Sequence, residues 1–131
     1  AAFLAGYSSP EALRESHQIG AFWENHVITQ WIRWKSIHHS EASLWFWQDR
    51  TKNEVDLVVD INGRLNAIEC KWKEVPDRKD LKGIRKFREM YPDELLGNSF
   101  IACNTSLPFD VAPGIRAVDG WEPFSLGDSA V

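Results

Sequence analysis

The chain has 131 residues and 15.0 kDa, 26% of them charged and 44% in the apolar set that counts tyrosine, tryptophan and cysteine. That describes one globular domain, able to withdraw roughly two-thirds of its unfolded surface from water without disulfides or a structural metal, and it excludes disorder as the main state. Fifteen basic against 19 acidic residues leave a net charge of −4, so a polyanion site must be a local patch; with no bilayer-spanning apolar window and no signal-peptide pattern, a soluble cytoplasmic protein without membrane partners is expected.

The chain opens on Ala1-Ala2-Phe3-Leu4-Ala5-Gly6, apolar from the first residue, and reads as a piece of a longer polypeptide. Residues 1–131 are taken as a single domain, with 1–15 a lead-in, 16–107 the core and 108–131 a tail. Apolar residues recur at Ile19, Phe22, Trp23, Val27, Trp31 and Trp34, the 3.6-residue period of an amphipathic helix over about 16–35. Five of the seven tryptophans (Trp23, Trp31, Trp34, Trp45 and Trp47) crowd this region. A shared core cluster explains them, and the alternative is base stacking on exposed rings.

A polar, histidine-rich connector over 36–42 leads to a short aromatic strand, Leu44 to Gln48. Glu54 to Ile61 and Arg64 to Trp72 then form two strands around Asn62-Gly63, the dipeptide of a type I′ hairpin. Pro76-Asp77 opens a second helix reaching about Tyr91, with Leu81, Ile84, Phe87 and Met90 on its buried side, and Pro92 ends it. Asn98 to Cys103 is another strand, parallel to the 64–72 strand because a helix intervenes. Past Pro108 the pattern breaks up, with one short strand at Ile115 to Val118.

A two-residue loop fixes the hairpin register. Ile61 faces Arg64 and, counting back, Asp56 faces Glu69 and Glu54 faces Lys71. The period of two puts Glu54, Asp56, Glu69 and Lys71 on one charged face and Val55, Leu57, Val59, Ile61, Ile68 and Cys70 on an apolar one. Directly opposed carboxylates repel unless something positive lies between them. Mg²⁺, which binds through one or two carboxylates and keeps waters and phosphates for its other positions, would serve, with Lys71 in reach of a metal-bound water or a phosphoryl oxygen. The alternative is a solvated face on which Lys71 pairs with the acids.

Residues 73–88 carry seven basic residues against three acidic ones, a local balance of +4 and the sequence's one basic patch. It reads either as a surface for a phosphate backbone, with Lys79 and Lys82 as contacts, or as a solvated helix face with salt pairs such as Asp77 to Lys82. His17, His26, His38 and His39 lack zinc-ligand spacing. Cys70 and Cys103 lie in apolar runs and are expected reduced and unreactive. No GxxxxGK[ST] phosphate loop occurs, so ATP binding is not assigned to these residues.

Asp56 followed by a hairpin and Glu69-Cys70-Lys71 resembles the PD-(D/E)XK nuclease superfamily, with Val55 where the name has proline. More narrowly, Gly20 to Val27, Glu54-Val55-Asp56, Ile68 to Lys71, Asp80 to Phe87 and Tyr91-Pro92 resemble the uncharacterised C-terminal domain of prokaryotic AAA+-type ATPases, over roughly 1–110. The resemblance implies an α/β, restriction-endonuclease-like αβββαβ core with a mixed sheet flanked by helices. It implies Asp56, Glu69 and the backbone carbonyl of Cys70 as ligands of Mg²⁺ or Mn²⁺, Lys71 serving the attacking water, and Glu24 assisting from the first helix. It also implies an ATPase module upstream. The function expected is metal-dependent hydrolysis of DNA or RNA phosphodiesters. The alternatives are a binding module that keeps the fold, or a structural role in oligomerisation through Trp121 or Trp45. The oligomeric state is not legible.

Overall fold

The computed structural model describes residues 3–6 and 19–127. Asn62 and Gly63 both adopt left-handed backbone, φ 54° and 77°, as a type I′ turn requires. They join β3 (Glu54–Ile61) to β4 (Arg64–Cys70), and the ladder from Ile61↔Arg64 to Leu57↔Ile68 keeps the register read from the sequence. β2 (Ser43–Gln48) pairs antiparallel with β3, and β1 (Phe3–Gly6) pairs antiparallel with β2.

Helix α1 (Ile19–His38) precedes β2, and α2 (Lys82–Met90) connects β4 to β5 (Leu96–Cys103), which is parallel to β4 as expected. β6 (Phe109–Ala112) and β7 (Ile115–Asp119) follow, β7 parallel to β5 and antiparallel to β6. The result is a seven-stranded mixed sheet in the order β1-β2-β3-β4-β5-β7-β6, flanked by helices. The α/β fold class is therefore established. The segment read as a tail from 108 supplies two strands of the sheet, of which β6 went unread because four residues are too few to show a period.

The expectation of one core face and one charged face is corrected by two apolar layers. On the α1 side, Trp23, Val27, Ile28 and Trp31 pack with Leu57, Val59, Ile68, Phe100 and Ala102. On the other, Leu81, Ile84 and Phe87 pack with Val58, Leu65, Ala67, Ile101 and Cys103. Alternation along β5, Phe100 and Ala102 to one side and Ile101 and Cys103 to the other, is the strand period of two seen from both faces. A sheet covered on both faces needs near-continuous apolar strands, and Leu57-Val58-Val59 is such a run.

The single tryptophan cluster is corrected in the same way. Trp23 and Trp31 are buried on the α1 side, with Trp34 packed against them, while Trp47, with Trp45 beside it, is buried on the α2 side. Val55 also packs on the α2 side rather than with Leu57, beside an irregularity in the β2–β3 register between Trp45 and Trp47. Three residues assigned to apolar stripes, Ile19, Phe22 and Met90, are exposed. The predicted second helix begins as a 3₁₀ turn, Arg78–Leu81, before α2 proper.

Candidate active site

The paired ladder of β3 and β4 ends at Leu57↔Ile68, and beyond it carboxylates take the place of backbone partners. The Asp56 N–H donates to Glu69 Oε1 at 3.3 Å and the Cys70 N–H donates to Asp56 Oδ2 at 2.8 Å. The two acids therefore face one another as the register required, held in the seam between the strands. Glu54 and Lys71 do not continue the ladder as a facing pair. Glu54 is in register with Gln48 of β2, and the Lys71 N–H donates to the Ala102 carbonyl of β5 at 3.0 Å. A strand residue turns its N–H and C=O to the same side, so the Cys70 carbonyl faces the Asp56 side of β4.

Glu54, Glu69, Lys71, Lys79, Asp80, Lys82 and Gly83 line a hollow of about 240 Å³. The structure thus brings Lys79 and Lys82 to the rim of the recess that holds Glu69 and Lys71. Glu24, whose reach toward the hairpin the sequence left open, lies within the electrostatic field of Asp56, Glu54 and Lys71. On α1 it is one turn before Val27 and Ile28, at the end of the buried stripe, which carries its carboxyl over the sheet.

The acids crowd. Burial, with Asp56 and Glu54 nearby, raises the Glu24 carboxyl to about 7, and Lys71 opposes the shift. Burial and the Glu69 charge hold Asp56 well above the ordinary carboxylate range. Burial raises Glu69 too, against the opposing pull of Asp56 and Lys71. Buried like charges on facing strands are relieved by a proton or by a cation. A pair of hard oxygen donors with a backbone carbonyl alongside fits a divalent ion that takes its remaining ligands from water and substrate. Among the described residues no group of three or more His, Cys, Asp or Glu side chains is arranged to hold a metal, so the fit is of this sparse kind and not a closed cage. The Cys70 thiol, pushed well up by burial and by Asp56, is no nucleophile.

Two features escaped the sequence reading. A Cβ at Gly83 would overlap the Glu54 carbonyl oxygen and stand 3.4 Å from Glu69 Oε2, so only glycine lets α2 approach the acids so closely. An isolated glycine in a helical pattern, as in Asp80-Leu81-Lys82-Gly83-Ile84, was the available signal. The second is an anchor, in which Lys73 Nζ donates to Asp80 Oδ2 at 2.8 Å and the Asp77 N–H donates to the same oxygen at 2.9 Å. Burial opposes ionisation of Asp80, but these donors together hold it below its ordinary range. Lys73 is therefore committed to the fold as the cation of Asp80.

The family model described as Domain of unknown function (DUF4143) matches residues 19–127, from the start of α1 to past β7. The chain belongs to the DUF4143 family. No curated protein and no solved structure matches it. The matched span of this DUF4143 domain includes Glu24, Asp56, Glu69, Lys71, Lys79, Lys82 and Gly83. No helix among its described residues is long and apolar enough to cross a membrane.

Proposed function

We propose that this DUF4143 domain is a metal-dependent nuclease, hydrolysing phosphodiester bonds of DNA or RNA in the cytoplasm beside an ATPase module of a longer chain. The observation that carries the reading is the Asp56–Glu69 pair, two carboxylates held across the open end of a hairpin by the Asp56 N–H to Glu69 Oε1 and Cys70 N–H to Asp56 Oδ2 hydrogen bonds, with Lys71 lining the hollow beside Glu69. The order of acid, hairpin and Glu69-Cys70-Lys71 resembles the PD-(D/E)XK superfamily and supports the same reading.

Asp56, Glu69 and the Cys70 carbonyl would hold Mg²⁺ or Mn²⁺, which supplies phosphoryl polarisation and a more acidic water. Lys71, lining the hollow beside Glu69, orients the attacking water and stabilises the negative charge that grows on the phosphoryl oxygens. Glu24, with its pKa near 7, exchanges a proton with water at the inner edge of the site. Lys79 and Lys82 at the rim, with the positive end of α2, attract the phosphate backbone despite the acidic average of the chain.

The test is nicking of supercoiled plasmid by the purified chain with Mg²⁺ or Mn²⁺. Nicking is expected with metal, abolished by EDTA and reduced at least ~100-fold in Lys71→Ala, the usual scale for losing one transition-state charge donor. A cooperatively unfolding sample with no metal-dependent nicking overturns the hydrolytic reading in favour of a nucleic-acid-binding module.

A further inference from the structure

At the carboxyl ends of the three parallel strands lies a second hollow, of about 480 Å³, lined by Glu74 after β4, Asn104 and Ser106 after β5, and Asp119 and Trp121 at and after the end of β7. Ligands of open α/β sheets bind outside these strand ends. Glu74 is three residues from Lys71 along the chain, so these two lining residues are at most about 10 Å apart.

Trp121 is 41% exposed yet fixed. Its N–H donates to Asp119 Oδ1 at 2.9 Å, its indole Nε1 donates to Asn104 Oδ1 at 3.2 Å, and its carbonyl meets His26 Nε2 at 2.9 Å. Trp23, His26 and Trp72 meet it in T-shaped contacts, with centroids at 4.9, 5.1 and 5.9 Å. An indole clamped at backbone, edge and flank but left open to water is a preorganised stacking surface. The charged residues lining the hollow are Glu74 and Asp119, both acids, which repel phosphate and accept hydrogen bonds. A flat, neutral ring bearing amino or imino donors matches both features, and a nucleobase out of its duplex is such a ring.

We infer that this hollow receives one unpaired nucleobase of the strand whose phosphate lies at Lys71, stacked on Trp121 and hydrogen-bonded to Asp119 and Glu74. The substrate of the proposed nuclease is then single-stranded or locally opened nucleic acid, a specificity that rests on the nuclease reading and extends it.

A single-stranded oligonucleotide carrying 2-aminopurine, titrated in EDTA so that nothing is cleaved, reports the contact by fluorescence quenching. Saturable quenching is expected, with affinity reduced about 5- to 100-fold in Trp121→Ala and largely restored in Trp121→Phe. Ser106→Leu, an exposed side chain enlarged into the hollow, should weaken binding several-fold without disturbing the core. The same probe base-paired in a duplex should bind more weakly, and free 2-aminopurine riboside competing at equal concentration would overturn the strand as its source. Unchanged affinity and quenching in both Trp121→Ala and Ser106→Leu, or no binding by the native chain, overturns the subsite. Plasmid nicking measured alongside separates the two ideas. Nicking without a Trp121 effect removes only the hollow, and Trp121-dependent quenching without nicking removes only the hydrolysis.

Discussion

Glu24 is the residue whose ionisation should be most visible in solution. Its pKa is raised from 4.5 to about 7 by burial and by Asp56 and Glu54, so the folded chain holds a proton that the unfolded chain releases. Where the native state binds more protons, stability falls as pH rises. The contribution is intact below about pH 4.5 and is lost through pH 7, and Asp56 and Glu69, shifted in the same direction, add to the decline. We expect Glu24→Gln to remove roughly 2 kcal/mol of that decline between pH 5 and 8, allowing for water at the exposed edge of the carboxyl, as read by urea unfolding at the two pH values. Parallel stability curves for the two proteins would mean that Glu24 does not sit among the acids. At this scale the sequence was informative about Asp56 and Glu69, because a two-residue turn transmits register without further assumption. Glu24 came only from the family resemblance, because its place depends on how α1 lies across the sheet.

At the scale of elements, the site is where two strands stop pairing and a helix closes on the gap. Gly83 permits that closure, since any Cβ there meets the Glu54 carbonyl. Gly83→Ala is expected to cost about 1–3 kcal/mol, the range for forcing an extra carbon into a packed position, and to lower any metal-dependent nicking more than it lowers stability at working temperature. A variant as stable and as active as the native chain would show that α2 need not lie so close. The hairpin, α1 and the parallel β5 were legible because turn chemistry and apolar periodicity are local signals. The start of α2 was legible to within a turn, and the capping box of Asp77 and Asp80 explains the 3₁₀ entry. What local pattern could not give was the partner of Asp80, because Lys73 approaches it from the end of β4.

Across the whole molecule, the acidic average and the basic stretch of 73–88 resolve into separate places. Lys79 and Lys82 rim the hollow of Glu69 and Lys71, and Glu74 and Asp119 line its neighbour. The two-sided core was the principal misreading. Glu54, Asp56, Glu69 and Lys71 suggested an exposed face, whereas they lie at one end of strands whose middle is buried on both faces. β7 was read from its short apolar run, whereas β6, a four-residue edge strand, carries too few residues to show a period.

The central claim, that Asp56 and Glu69 together take a divalent cation, is tested most directly by Mn²⁺ binding, followed through loss of the free-ion electron paramagnetic resonance signal at pH 6 and pH 8. Because buried carboxyls whose ionisation is opposed by burial must be deprotonated to bind, affinity should rise from pH 6 to pH 8 and disappear in Asp56→Asn. Binding that is equal in Asp56→Asn, or indifferent to pH, would contradict it.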